Sequence, residues 1–185
     1  RTATLKEYCA VETDGVFRRS LEKTWQEYRP GIALQVKGTL EEVNGQFDLV
    51  VLSHVLEHLP DPSAMLKLIA QKLSPGGLLF IEVPNQDYRF KKYLFPHVLF
   101  FDSGSLRTVV EKCGYCVEAL EGYGRPVPDS GAFNSEELCP ATKIVLRGRS
   151  FLPAGLVAGV LNMDLAAASV SDRGTWLRLW ARKKI

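Results

Sequence analysis

The sequence predicts a single α/β domain with a mostly parallel sheet flanked by helices and a last strand that runs antiparallel. Three observations support this fold class. Strand-like segments alternate with helix-like segments along the chain. The run FDLVVLS at 47–53 is apolar almost throughout, as in a strand that is covered on both faces. A chain of 185 residues is long enough to bury one good core.

The strands are predicted from short apolar segments, and the helices from apolar residues at helical spacing. The predicted strands are 8–12, 32–38, 47–53, 78–85, 115–124 and 175–184, and the predicted helices are 13–28, 61–77 and 103–114. Each helix has an apolar face, formed in turn by Val16, Phe17, Leu21 and Trp25, by Leu66, Ile69 and Leu73, and by Leu106, Val109, Val110 and Cys113.

Proline, glycine and aspartate residues predict where the helices begin and end. Pro30 and Gly31 should end the first helix. Asp61 should cap the second helix, with Pro62 in its first turn, and the segment SPGG at 74–77 should end it. Gly114 should end the third helix.

Residues 124–174 are rich in glycine, proline, alanine and serine, and they are interpreted as an insertion or lid. The core would then comprise 1–123 and 175–185, with the last strand returning along an edge of the sheet. The apolar stretch 151–170 contains Pro153, Asn162 and Asp164, which argue against a transmembrane span. Peripheral membrane contact through this stretch is the alternative interpretation.

Composition excludes some functions. The net charge of +2 provides no basic surface for nucleic acid. The four cysteines are sparse and lack a disulfide spacing, so we expect a reducing compartment and a cytoplasmic location.

Several short motifs together indicate a family. They are FDLV at 47–50, LEH at 56–58, DP at 61–62, LSPGG at 73–77 and IEVPN at 81–85. With PHVLFFDSGSLRTVVEKCGY at 96–115, this order resembles the class I S-adenosylmethionine-dependent methyltransferases, in the ubiquinone- and menaquinone-methylase-like branch. The resemblance covers roughly 3–123 and 175–183.

The resemblance implies a Rossmann-like sheet, S-adenosylmethionine as cofactor, and methyl transfer to a small-molecule or sugar-like acceptor. It implies that Glu12 holds the ribose hydroxyls of the cofactor. Thr39 and Leu40 would lie beside the adenine, and Ser53 and His54 near the methionine portion. In open α/β sheets, ligands bind at the carboxyl ends of the strands, where these residues stand.

One part of the family pattern is missing. The first strand of the family and its glycine-rich loop do not precede Glu12, and RTATLKEY at 1–8 resembles the tail of the helix that follows that loop. Two interpretations stay open. The chain is a fragment truncated at its N-terminus, or it is a catalytically inactive relative that serves as a binding module.

The candidate catalytic residues are His58 and His97, either of which could take a proton from an acceptor hydroxyl or amine. The aromatic residues Phe95, Phe100 and Phe101 could form the wall of an acceptor pocket beside His97. The alternative for His58 is a structural role in a turn.

Two other motifs suggest different chemistry. HVLEH at 54–58 matches the H-x-x-E-H motif of zinc proteases, with Glu136 or Glu137 as a nominal third ligand. The strand-like residues before it and the prolines after it argue against the required helix, so we expect no metal site. CGYC at 113–116 resembles a redox pair, but it follows a helix C-terminus, where the dipole opposes a thiolate. Two small buried residues are the preferred interpretation.

Overall fold

The computed structural model describes residues 5–29, 31–89, 94–126 and 174–184 of the chain. It divides into two compact units, Arg1–Gln46 and Phe47–Ile185. The elements of the first unit are β1 (Glu7–Val11), α1 (Gly15–Tyr28) and β2 (Ala33–Lys37). Those of the second are β3 (Phe47–Ser53), α2 (Pro62–Lys72), β4 (Leu73–Pro84), α3 (Ser103–Lys112), β5 (Tyr115–Pro126) and β6 (Gly174–Lys183).

The first unit is a strand–helix–strand motif with two parallel strands. β1 pairs with β2 from Glu7 opposite Ala33 to Val11 opposite Lys37. The side chain of Asp14 caps α1 by accepting hydrogen bonds from the backbone N–H groups of the next turn. This unit therefore follows the predicted order of elements, and both strands end at the same edge of its sheet.

The second unit contains a four-stranded mixed sheet in the order β3-β4-β6-β5. β3 and β4 are parallel, and β6 runs antiparallel to both of its neighbours. The antiparallel direction of the last strand is confirmed, but its predicted edge position is wrong, because β6 lies between β4 and β5. There its N–H and C=O groups pair on both sides, which an edge strand cannot achieve.

The predicted turn SPGG is part of β4, which therefore begins at Leu73 rather than at residue 78. The pairing with β3 shifts register between Phe47 and Leu49, so the extra residues form an irregularity within the strand. A Cβ on Gly77 would lie 2.9 Å from the Ser74 carbonyl oxygen and 3.1 Å from that of Phe47. Glycine at this position thus permits the close approach of the two strands.

The predicted start of α2 and the predicted end of α3 are confirmed, whereas α2 ends at Lys72, before the SPGG segment. The Asp61 side chain accepts a hydrogen bond from the Ala64 N–H at 3.0 Å, and Pro62 is the first residue of α2. α3 is followed by Gly114 with a φ of 91°. The core beneath the helices consists of fully buried apolar side chains, among them Leu66, Ile69, Ile81, Leu106, Val110, Leu177 and Leu179.

Most of the predicted insertion 124–174 falls outside the described residues, including 151–170 and both nominal zinc ligands Glu136 and Glu137. Residues 124–126 belong to β5, and residue 174 begins β6. Among the helices in the described ranges, none combines the length and apolar character that a membrane crossing requires.

A buried tyrosine connects α2 to β5. Tyr115 is fully buried, and its hydroxyl donates a hydrogen bond to the Leu66 carbonyl at 2.7 Å. Burial also raises the pKa of the Tyr115 phenol.

We expect Tyr115→Phe to lower the free energy of unfolding by about 0.5–1.5 kcal/mol near pH 8, because one buried hydrogen bond is lost. The pKa of Tyr115 is higher in the folded state than in the unfolded chain, where it is about 10. The advantage of the wild type is therefore complete below about pH 10 and declines above it. Urea unfolding of both proteins at pH 8 and at pH 10.5 would measure this. Tyr28→Phe, at a residue that is 72% exposed, is the control. A difference that does not change with pH would contradict the prediction.

Candidate functional site

In the first unit, Glu12 directly follows β1 at the carboxyl edge of the sheet. Its N–H donates to the Lys37 carbonyl at 3.0 Å, which extends the pairing with β2 by one bond. Its Oε1 accepts a hydrogen bond from the Asp14 N–H at 2.8 Å. The Arg18 Nη1 donates to the carbonyls of Glu12 and Thr13 at 2.8 and 3.0 Å. The strand-to-helix turn that carries the Glu12 carboxylate is thereby fixed from both sides.

A cavity of about 400 Å³ opens at the same edge of this sheet. It is lined by Thr13, Arg18, Glu22, Val36, Gly38, Thr39 and Glu42. A Cβ on Gly38 would lie 3.1 Å from the Arg18 Nη1 and 3.2 Å from the Glu42 Oε1. A side chain at this position would therefore crowd the polar groups that form the cavity.

The predicted cofactor residues of this unit lie at the same edge of its sheet, but not all of them line the cavity. Thr39 lines the cavity, whereas Leu40 and Glu12 do not. Leu40 follows Thr39 in the sequence, and Glu12 precedes the lining residue Thr13. Sequence reasoning missed Arg18 and Glu42. Arg18 could have been found, because it lies one helical turn after the Asp14 cap and helical side chains lean towards the N-terminus.

In the second unit, Ser53 and His54 stand where β3 ends, as predicted. His54 has a φ of 55°, and its N–H donates to the Glu82 carbonyl at 2.9 Å. The Ser53 Oγ lies 3.4 Å and the His54 Nε2 3.5 Å from the Glu82 Oε1. The other oxygen of Glu82 accepts from the Arg178 Nε at 2.5 Å, and Arg178 lies over the ring of Tyr123. The end of β3 is thus joined to β6 by a polar network that the sequence analysis did not predict.

Five residues of the second unit form a cluster, here called the histidine cluster: His54, Glu57, His58, Asp87 and His97. The His54 Nδ1 lies 3.1 Å and the His58 Nε2 3.9 Å from the Glu57 Oε1. The rings of His58 and His97 meet edge to face with their centroids 4.8 Å apart. The His97 Nδ1 donates to the Asp87 Oδ2 at 2.6 Å. Glu57 and Asp87 are each 1% exposed.

Backbone hydrogen bonds bring the distant His97 to this place. The Glu57 carbonyl accepts from the N–H groups of Val98 and Leu99 at 2.9 and 3.1 Å. Residues 97–99 are therefore held against the short helical turn Leu56–His58. The two candidate catalytic histidines are near each other, and the hydrogen bond from the His58 Nδ1 to the Pro96 carbonyl at 3.3 Å gives His58 a structural role as well.

Two of the three residues predicted to form an aromatic wall beside His97 do not do so, whereas Phe100 is 37% exposed and meets Tyr88 edge to face. Phe95 is 93% exposed, whereas Phe101 is 6% exposed and belongs to the core. The reason is that Phe101 forms a β-bridge with Asn85 and its carbonyl accepts from the Gln86 N–H, which draws it into the sheet. Phe95 precedes these contacts and remains in the loop.

The two alternative motifs do not form the sites that their chemistry requires. His54 has left-handed backbone, and only Leu56–His58 form a short 3₁₀ turn, so no α-helix carries both His54 and His58 as a zinc protease needs. Cys113 is buried at the C-terminus of α3, as expected. Cys116 was expected to be buried but is exposed on β5, because alternate residues of a strand point to opposite faces.

Comparison with known proteins identifies the family. A family model described as "Methyltransferase domain" matches residues 6–120, which include the edge with Glu12 and the histidine cluster. The ubiquinone biosynthesis O-methyltransferase of Pseudomonas paraeruginosa is 40% identical over 55 residues, which cover 30% of this chain and 23% of that protein. The chain thus spans about a quarter of the length of that relative.

Solved structures show the same fold at low sequence identity. The N-methyltransferase NodS of Bradyrhizobium japonicum, solved with S-adenosyl-L-homocysteine, has a TM-score of 0.53 and 13% identity, covering 96% of this chain and 65% of that one. The [4+2]-cyclase SpnF has a TM-score of 0.58 and 14% identity, and the match covers 97% of this chain and 67% of that one. The Rossmann-like fold is therefore confirmed, although it hosts more than one reaction. From the family model and this fold, the chain belongs to the class I S-adenosylmethionine-dependent methyltransferases.

Proposed function

We propose that this chain forms part of an enzyme that transfers a methyl group from S-adenosylmethionine to an oxygen of a small-molecule acceptor. The observation that carries the proposal is the family match over residues 6–120. That range includes both Glu12, at the end of β1 in the first unit, and the histidine cluster of the second unit. The choice of oxygen follows the O-methyltransferases to which the chain is similar. A cytoplasmic location belongs to the same proposal and rests on the sparse cysteines.

The first unit contains groups that fit the nucleoside part of the cofactor. The Glu12 carboxylate at the end of β1 would accept hydrogen bonds from the ribose hydroxyls. Thr39 and Leu40 would lie beside the adenine, and a cavity of about 400 Å³ is within the range of small-molecule sites. Ser53 and His54, which belong to the second unit, would lie near the methionine portion of the cofactor. When bound, the cofactor supplies an electrophilic methyl group on its sulfonium.

The second unit contains the groups that would act on the acceptor. His58 and His97 present imidazoles that could take the proton of an acceptor hydroxyl. Asp87 orients the His97 ring through the hydrogen bond to its Nδ1. Holding the acceptor oxygen in line with the methyl group would provide much of the rate enhancement.

A second candidate function is that of a binding module without catalysis. The same fold hosts the [4+2]-cyclase SpnF as well as methyltransferases, so the fold alone does not decide for methyl transfer. Cofactor binding separates the two candidates.

We expect Glu12→Ala to weaken the binding of S-adenosylmethionine by about 10- to 150-fold. The reason is the loss of a charge-assisted contact worth about 1.5–3 kcal/mol. Calorimetric titration of the purified protein with the cofactor would measure this. Glu27→Ala, at an exposed residue of α1, is the matched control. Unchanged affinity in the Glu12 variant would remove Glu12 from the site, and no binding by the wild type would favour the non-catalytic module.

A further inference from the structure

All three histidines of the chain lie in one place, around a carboxylate that is almost completely buried. We propose that three of these residues, Glu57, His58 and His97, form a binding site for a divalent transition-metal ion. One carboxylate oxygen of Glu57 and one ring nitrogen of each histidine lie within 4.8 Å of one another.

In both imidazoles the Nδ1 atom is used in a hydrogen bond, which leaves the Nε2 atom as the electron-pair donor. The His97 Nδ1 faces the Asp87 carboxylate, and the His58 Nδ1 faces the Pro96 carbonyl. Both partners are acceptors, so each Nδ1 carries a hydrogen, and a ring that binds a cation here would do so through its Nε2. A carboxylate behind an imidazole is the usual support of a metal-binding histidine, because it fixes the tautomer and increases the basicity of the ring.

The Glu57 carboxylate supplies an independent observation. Its Oε2 is buried and has no hydrogen-bond partner among the described residues. A buried acceptor without a partner is costly, and most native proteins avoid it. Two imidazole lone pairs and a carboxylate with one partnerless oxygen bring electron-rich atoms together, which favours a cation among them.

The ligand types decide which cation fits. Two imidazoles and one carboxylate suit Zn²⁺, Mn²⁺, Fe²⁺ or Co²⁺, whereas Mg²⁺ and Ca²⁺ prefer oxygen ligands. Metal–ligand bonds of about 2.1 Å require ligand atoms roughly 3.3 Å apart, so binding would draw the three side chains together by about 1–1.5 Å. The His58 side chain is 35% exposed, which leaves one side of the site open to solvent or to an acceptor oxygen.

This site differs from the zinc-protease arrangement that the HVLEH motif suggested, because His97 takes the place of His54. The His54 Nδ1 instead lies 3.1 Å from the Glu57 Oε1. It also departs from the expectation, made from the sequence, that the protein has no metal site. With the cation bound, the Nε2 lone pairs of His58 and His97 would be occupied, so these rings would act as ligands in place of the bases of the proposed function. A role of the cation in holding the acceptor oxygen rests on that function, but the site itself does not.

The test is metal uptake by the purified protein without a polyhistidine tag and without cofactor or acceptor. We expect about one Zn²⁺ per chain after equilibrium dialysis, and visible absorption bands when Co²⁺ is bound instead. Glu57→Gln and His97→Asn should each abolish stoichiometric uptake. Asp87→Asn should weaken binding by about 10- to 100-fold, because it removes the support of His97. Glu111→Gln, at an exposed carboxylate on α3, is the matched control and should bind as the wild type does.

Two results would overturn the inference. One is the absence of stoichiometric uptake by the wild type, in which case the imidazoles hold only a proton or water. The other is uptake that persists in folded Glu57→Gln and His97→Asn proteins, which would place the ion elsewhere. Circular dichroism of each variant shows that it is folded, and two variants at separate positions protect against a misfolded one. Because no cofactor is present, failure of methyl transfer would leave this result intact.

Discussion

Replacing Leu179 by alanine is expected to lower the free energy of unfolding by about 2–5 kcal/mol, the largest loss of stability that we predict. Leu179 is fully buried in β6, opposite Ile81 on one neighbouring strand and Leu120 on the other. The alanine variant loses buried apolar surface and leaves a cavity that strands paired on both sides cannot collapse to fill. Urea unfolding followed by circular dichroism would measure the change.

Lys184→Ala is the matched control for this substitution. Lys184 is exposed just beyond the end of β6, so its side chain should contribute less than about 0.5 kcal/mol. A loss below about 1 kcal/mol for Leu179→Ala would mean that β6 is not an interior strand, and that the edge position expected from the sequence is right after all.

The position of β6 illustrates what the sequence could and could not predict. Its apolar alternation and direction follow from local composition and from the length of the preceding segment. Its neighbours do not, because the pairing joins residues far apart in the chain, such as Glu82 and Arg178, which are 96 positions apart. By contrast, the capping of α2 by Asp61 depends on residues within one turn, and it was predicted correctly.

In the candidate site, too, the sequence predicted some features and could not predict others. Ser53 and His54 were predicted because the apolar run of β3 stops at them. The expectation that β3 is covered on both faces is wrong, since only Leu52 is buried and Leu49 and Val51 are 47% and 54% exposed on this edge strand. His58 and His97 were found as titratable side chains, but only as separate candidates. The two rings lie close together because backbone N–H groups of the loop after His97 donate to the Glu57 carbonyl. Every residue except proline has such an N–H group, so these bonds cannot be recognised from the amino-acid sequence. Asp87 was missed because it is recognisable only through its contact with His97.

Glu57 connects stability to function, because its burial is costly for the fold. We expect Glu57→Met to raise the free energy of unfolding of the metal-free protein by about 1–3 kcal/mol. The variant removes the buried Oε2, which has no partner within the described ranges, and keeps a similar side-chain volume. The backbone bonds from Glu57 to Val98 and Leu99 should remain. Thermal and urea unfolding in the presence of a chelator would measure the change.

Added Zn²⁺ should make the wild type more stable to unfolding than Glu57→Met, the reverse of their order without metal. At a metal concentration about 100 times the dissociation constant, the wild type should gain about 2.7 kcal/mol, and Glu57→Met should gain little. Leu56→Met is the matched control, since it makes the same replacement at the adjacent, fully buried residue. It should lose less than about 1.5 kcal/mol and respond to Zn²⁺ as the wild type does. If metal-free Glu57→Met were instead less stable than the wild type, Glu57 would serve to hold His54 and the surrounding turn. Its burial would then be explained by structure alone.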